Sequence, residues 1–182
     1  VGKLANDIVT SLKVETKQDV MKAPTANVEA YEYYLKAKQK YEKRENTDDT
    51  EIVRGLLSKA IELDDNLLIA KNVLAITYHV TGDYDKAMEI YLENLKKAEE
   101  IGDKDIQGRS LNNIGLVHNS RGEYDKALDY YERALAIKKE LGDKRGMGGS
   151  LNNIGNVYYK KGDYDKAMEI YTTALKQAEE LD

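Results

Sequence analysis

The chain has 182 residues, 41% of them hydrophobic and 34% charged, which is enough apolar material for a packed core and too much for an ordinary disordered chain. Cysteine is absent and proline occurs once, which excludes a disulfide scaffold, thiol catalysis, cysteine-ligated zinc and a loop-rich chain. A formal net charge of −5 argues against nucleic acid as the main partner, because phosphate binding needs clustered cations, and no run approaches the ~18 uncharged apolar residues of a membrane span.

The first residue is Val1 instead of Met, so a fragment or processed form is expected, with the cytoplasm as the default compartment. Leu4, Ile8, Val9 and Leu12 fall on one face of a short amphipathic helix. Glu15 to Asn27, which contains Pro24, reads as a linker, so 1–27 is assigned as an N-terminal helix and linker. Residues 28–66 read as one irregular helix pair. Its first helix opens at Ala30-Tyr31-Glu32-Tyr33-Tyr34-Leu35-Lys36-Ala37 and its second closes at Leu56 to Asp65. Asn46-Thr47-Asp48-Asp49-Thr50 between them is a polar turn with helix-start residues.

From residue 67 onward the sequence repeats itself. Residues 82–91 read GDYDKAMEIY, 122–131 read GEYDKALDYY and 162–171 read GDYDKAMEIY, a period of 40; LNNIG recurs at 111–115 and 151–155 with the same offset. A fixed period of this size means one supersecondary unit copied along the chain. Leu111, Ile114, Gly115 and His118 have helical spacing before Gly122, as do Tyr124, Ala127, Leu128, Tyr131, Ala134 and Leu135 after it. Gly82, Gly122 and Gly162 stand where a left-handed turn residue is needed, and Asp83, Glu123 and Asp163 follow at the start of the second helix, where negative charge suits the dipole. Gly102-Asp103-Lys104 and Gly142-Asp143-Lys144 close one unit and open the next. Boundaries of 67–106, 107–146 and 147–182 follow. Small residues at Ala75, Gly115 and Gly155, and at Ala87, Ala127 and Ala167, are expected contact points, with the periodic tyrosines as their large partners. Asn94 replaces the small residue found at Ala134 and Ala174.

This order of small residue, glycine turn, Tyr, Ala, Tyr and Ala resembles the tetratricopeptide repeat, whose unit of about 34 residues is lengthened here in its second helix and closing loop. The length is similar to that of the repeats in kinesin light chains and in polarity adaptors of the mitotic spindle. No proline closes any repeat, a departure from the common pattern. Ile8-Val9-Thr10-Ser11-Leu12, Pro24-Thr25-Ala26-Asn27 and Glu29 to Lys36 carry a second likeness. They resemble a junction in bacterial signalling proteins that joins a TolB-like domain to such an array, often downstream of a nucleotide cyclase or transcription-regulator domain. The resemblance implies an all-α fold, an α–α superhelix of about four helix-turn-helix units after an N-terminal helix. It also implies a non-catalytic interaction scaffold in a signalling protein.

In such an array the first helices line the inner side. Steps of three and four place Asn72, Ile76 and His79 on that side, then Asn112, Leu116 and Asn119, then Asn152, Asn156 and Tyr159, with Lys160 at the border and Arg109 near the mouth of the third unit. Asn72, Asn112 and Asn152 recur at the period, and a primary amide can pair with peptide backbone without reading sequence. Asn113 and Asn153 are expected to bond between helices. Arg109, Lys160 and His79 suit a carboxylate on the partner. A protein or peptide segment bound in this groove is the expected function. The alternative is a regulatory or oligomerisation segment of a larger signalling enzyme.

Catalysis, metals and cofactors are not expected. His79 and His118 differ in helical phase, Gly146-Met147-Gly148-Gly149 lacks both a preceding strand and a following Gly-Lys-Ser/Thr, and the Glu and Lys runs read as solvated faces. Gly146 to Gly149 reads as a flexible start to the fourth unit. Ile170, Ala174, Leu175 and Ala178 would be partly uncovered on the last helix, which suggests self-association through a terminal face.

Overall fold

The computed structural model describes residues 25–179, and the expected N-terminal helix and the residues Leu181-Asp182 lie outside that range. Eight α-helices and no strand occur among the described residues. They are α1 (Val28–Glu42), α2 (Thr47–Leu63), α3 (Leu68–Val80), α4 (Tyr84–Ile101), α5 (Lys104–Ser120), α6 (Tyr124–Glu140), α7 (Lys144–Lys161) and α8 (Tyr164–Glu179). They fall into two compact units that divide between Thr81 and Gly82.

In the first unit, α1 and α2 form a hairpin and α3 packs on α2. The sequence fixes the ends of this hairpin. Asn27 accepts the Ala30 N–H at 3.1 Å, capping α1, and its Nδ2 donates to Leu63 O at 2.8 Å, which ties the start of α1 to the end of α2. Asn46 caps α2 through the Asp49 N–H at 2.9 Å, as the polar turn predicts. Ala30 and Ala37 are fully buried against Val53, Leu57 and Ala60, because only a methyl fits where two helix axes approach closely. Arg54 of α2 reaches α3, donating Nε to Thr77 Oγ1 at 3.1 Å and Nη2 to Thr77 O at 2.9 Å, with its guanidinium over the Tyr78 ring.

In the second unit the helices pack in sequence order, α4 on α5, α5 on α6, α6 on α7 and α7 on α8. Asp103 and Asp143 accept the N–H groups of Ile106 and Gly146, at 3.0 and 2.8 Å, so one carboxylate per copy starts α5 and α7. Asp163 caps α8 in the same way through Lys166, at 3.2 Å. Glu123, the odd member, makes no cap and pairs its carboxylate with His118 and Lys126. Gly122 has φ 75°, the left-handed conformation that lets α5 end and α6 turn back within three residues.

Glycines inside the helices have a different purpose. A Cβ on Gly115 would lie 2.7 Å from the Tyr131 ring, and one on Gly155 would lie 2.6 Å from the Tyr171 ring. The expected pairing of small residue and tyrosine is therefore face-to-face contact within each hairpin. Tyr131 is fully buried, and burial raises its phenol pKa, with the Asn119 side chain acting in the opposite sense, although Oη makes no hydrogen bond of ordinary geometry. Asn94 is also fully buried, at the position where the later copies have alanine.

Two expectations need correction. Lys138 belongs to a lysine run assigned to a solvated face, yet it is 6% exposed. Its Nζ lies 2.6 Å from Asp105 and 3.0 Å from Asp143, and its stem lies against Gly108 and Gly146, which have no side chain to exclude it. Gly146 to Gly149 is not a flexible lead-in but the first two turns of α7. A Cβ on Gly146 would lie 2.4 Å from the Asp143 carboxylate and 2.7 Å from the Lys138 stem, so the glycine makes room for the buried lysine and its carboxylate partner.

Candidate functional site

The residues expected on the inner side occupy α3 in the first unit and α5 and α7 in the second. On α3, Asn72 is 7% exposed, while Ile76 and His79 are half-buried. Burial holds the His79 pKa below its ordinary value, which favours the neutral ring.

On α5 and α7 the set is continuous. Asn112, Leu116 and Asn119 are half-buried on α5; Asn152, Asn156, Tyr159 and Lys160 are exposed on α7. Two bonds tie the helices to one another. Asn153 Nδ2 donates to Asn112 Oδ1 at 3.0 Å, and Lys160 Nζ donates to Asn119 Oδ1 at 3.0 Å. The role expected of Asn153, bonding between helices, is thus realised with Asn112 as its partner. The three amides at the 40-residue period have unlike surroundings: Asn72 is buried, Asn112 has its carbonyl engaged, and Asn152 is open.

The cations are similarly committed. Arg109 Nε donates to Asp105 of its own helix at 2.7 Å, and Lys160 leans on an amide. Asp105 also holds Lys138. Burial acts to raise the Asp105 pKa, but Lys138 and Arg109 outweigh it and leave the carboxylate more acidic than usual. Tyr159 meets Tyr164 edge-on at 5.4 Å, and Tyr171 Oη donates to Asn156 at 2.6 Å. The resulting surface has exposed amides and a tyrosine ring able to donate, accept and stack. His118, on the far side of α5, is half-buried and stacked on Tyr130 at 5.2 Å, a packing role. Among the described residues no three His, Asp or Glu side chains are placed to share a metal ion, and no helix is long and apolar enough to cross a membrane.

A cleft of about 450 Å³ lies beside this surface, between α7 and the C-terminal half of α8. Lys144, Arg145, Gly148, Gly149 and Asn152 of α7 and Tyr171, Ala174 and Leu175 of α8 line it. The sequence reading missed it, apart from Asn152 and the expectation that Leu175 is uncovered. It also missed Lys138, although the 40-residue alignment contains the signal: lysine stands where Ala98 is fully buried one copy earlier.

Tetratricopeptide repeat models match residues 66–140 and 150–181, more than half of the chain between them. A search of curated proteins gave no match. Among solved structures, aspartyl phosphate phosphatase F from Bacillus subtilis is similar with a TM-score of 0.77 at 20% identity, over 96% of this chain and 49% of that one. BtubC from P. vanneervenii is similar with a TM-score of 0.72 at 20% identity, over 99% of this chain and 72% of that one. A Rap protein complexed with Competence and Sporulation Factor has a TM-score of 0.70 at 17% identity, over 97% of this chain and 65% of that one. The chain thus spans about half the length of the first of these, and identities this low carry the fold alone. With the repeated glycine turns, the Gly–Tyr contacts and the eight described helices in the same all-α solenoid class, the chain belongs to the tetratricopeptide repeat family.

Proposed function

We propose that this protein is a non-catalytic scaffold that binds a peptide or protein segment along the face formed by α5 and α7. The observation that carries the reading is the exposed run of Asn152, Asn156, Tyr159 and Lys160 on α7 beside the half-buried amides of α5. Asn112 and Asn119 accept from neighbouring side chains, which fixes their orientation, while the open side of α7 offers donors, acceptors and a ring. A peptide backbone laid along such a face finds hydrogen-bonding partners without a demand on its sequence. The similar Rap structure complexed with Competence and Sporulation Factor supports a binding function for this fold. Arg109 borders this surface on α5, and in the first unit Asn72, Ile76 and His79 of α3 are the residues at the corresponding positions of the repeat.

The test is selection of binders from a displayed library of peptides, followed by affinity measurement against variants. Asn112→Ala with Lys160→Ala weakens the selected peptides by about tenfold or more, the range of a hot-spot pair. Glu132→Ala, on the exposed side of α6, leaves them unchanged. Selected peptides indifferent to the first pair and sensitive to the second would overturn the reading. A second reading is a regulatory segment that pairs copies of a larger signalling protein. It draws on Met168 and Leu175, which are 66% and 60% exposed on α8. Concentration-dependent association that Met168→Glu abolishes, with no peptide selected, favours it.

A further inference from the structure

A primary amide has a donor half and an acceptor half, and on the α5–α7 face the protein uses the acceptor half itself. Asn112 Oδ1 accepts from Asn153 Nδ2 at 3.0 Å, Asn119 Oδ1 from Lys160 Nζ at 3.0 Å, and Asn156 Oδ1 from Tyr171 Oη at 2.6 Å. At Asn119 chemistry fixes the orientation, because an ammonium only donates and has to meet the oxygen. What these three side chains retain is Nδ2–H, a donor. Asn152, which is exposed, is the exception. No carboxylate offsets the bias: there is no Asp or Glu between Gly108 and Ser120 or between Gly148 and Lys161. Backbone carbonyls in the interiors of α5 and α7 are consumed by the helices.

A surface of donors selects a segment rich in acceptors and poor in donors. An extended strand matches badly, since its edge carries N–H groups as well as C=O groups. A helix matches worse, because its carbonyls are bonded internally. A proline-rich segment fits: proline has a carbonyl and no N–H, and the polyproline II conformation has no internal hydrogen bonds. The period fits as well. Three residues at ~3.1 Å each bring equivalent carbonyls round every ~9 Å, and packed helices stand ~8–10 Å apart. Successive turns of the segment therefore reach α5 and then α7, whose side chains bond to one another. Leu116 lies one helical turn from Asn112 and Asn119, and Tyr159 one turn from Asn156, which places apolar surface for pyrrolidine rings beside each set of donors.

We propose that the α5–α7 face binds a proline-rich polypeptide segment in the polyproline II conformation. Its main-chain carbonyls accept from Asn112, Asn119 and Asn156, and its rings lie on Leu116 and Tyr159. This rests on the peptide-binding role given to the face above, and narrows it from any backbone to one that lacks N–H groups.

The test uses the full chain with labelled decaproline, and with labelled decaglutamate and a Gly-Ser decamer as rivals. Fluorescence anisotropy is expected to show saturable binding of decaproline below millimolar peptide, with the rivals weaker by about tenfold or more. Asn156→Asp keeps the oxygen that accepts from Tyr171 and exchanges only the donor for an acceptor of the same size. It weakens decaproline by about tenfold or more, as does Tyr159→Ala, while circular dichroism shows the helical fold retained. An amide with a merely structural role would leave the affinity unchanged. Absence of saturation at millimolar decaproline, binding indifferent to Asn156→Asp, or tighter binding of decaglutamate overturns the proposal. Library-selected peptides that still depend on Asn112 and Lys160 would then leave the broader role of the face standing, and peptides that depend on neither would remove both.

Discussion

The α5–α6 and α7–α8 hairpins are near-copies in sequence and differ in what lies on them. Both begin at an aspartate cap and both press a glycine against a tyrosine ring. The first carries α7 on its outer side, and there Leu128 is 9% exposed and Tyr131 fully buried; the second carries no described helix, and Met168 is 66% exposed. The same local chemistry therefore gives the same hairpin, while the energy each side chain contributes is decided by its neighbour. In a solenoid, stability is a sum of unit and interface terms, and paired substitutions separate the two.

The largest difference is expected at the tyrosines. Tyr131→Ala removes a fully buried ring and costs about 3–5 kcal/mol. Tyr171→Ala, half-buried at an open face, costs about 1–2 kcal/mol by the same rule. Urea unfolding of both variants checks the contrast, and equal losses would break it.

A smaller difference is expected at the glycines. Gly115→Ala forces a Cβ to 2.7 Å from a ring held between α5 and α7, an overpacking loss of about 1–3 kcal/mol. At Gly155 the Tyr171 ring can move outward into the cleft, and alanine gains about 1 kcal/mol of helix propensity, so Gly155→Ala is near neutral. Thermal unfolding of the pair measures this.

The buried Lys138 sharpens the comparison from the other side, since its counterpart at 178 is alanine. Asp105 and Asp143 retain partial exposure and can hydrate, so Lys138→Met, which keeps the stem over Gly108 and Gly146, changes stability by less than about 1.5 kcal/mol. Its pH dependence is more diagnostic. The Gly146 N–H and then Lys138 hold the Asp143 pKa below the ordinary 3.8, and Asp105 is lowered against its burial by Lys138 and Arg109. A lowered carboxylate contributes stability that is present above its unfolded pKa and lost as pH falls through the folded one. The difference in stability between wild type and Lys138→Met is therefore constant above about pH 5 and changes below about pH 4, as the lysine loses its counter-ions. A difference that changes between pH 5 and 7 would contradict the assignment. The smallest effect is at the surface: Asp125→Asn, which removes the ion pair with Lys161, costs at most about 0.5 kcal/mol and Asp165→Asn nothing measurable.

Much of this was legible in the sequence because a repeat supplies its own control. The period located the turns at Gly122 and Gly162, the aspartate caps and the contact of Gly115 and Gly155 with tyrosine, since each is set within one hairpin. Readings that depend on the neighbouring hairpin were harder. Asn72, Asn112 and Asn152 share a register but not an environment, because what packs beside each differs from copy to copy. Lys138 reads as a solvated lysine because runs of charge are usually exposed; the glycines at 108 and 146 that admit it lie on two other helices. The α7–α8 cleft left only a faint trace, since an open slot is a property of what is missing from a face.

Native-state hydrogen exchange of the full chain tests most directly whether the neighbour, and not the local sequence, sets the stability of each copy. The account predicts that amides in the middle of α8 exchange about 100-fold faster than their counterparts in α6, as expected when one interface is lacking. Equal protection of the two helices would contradict it.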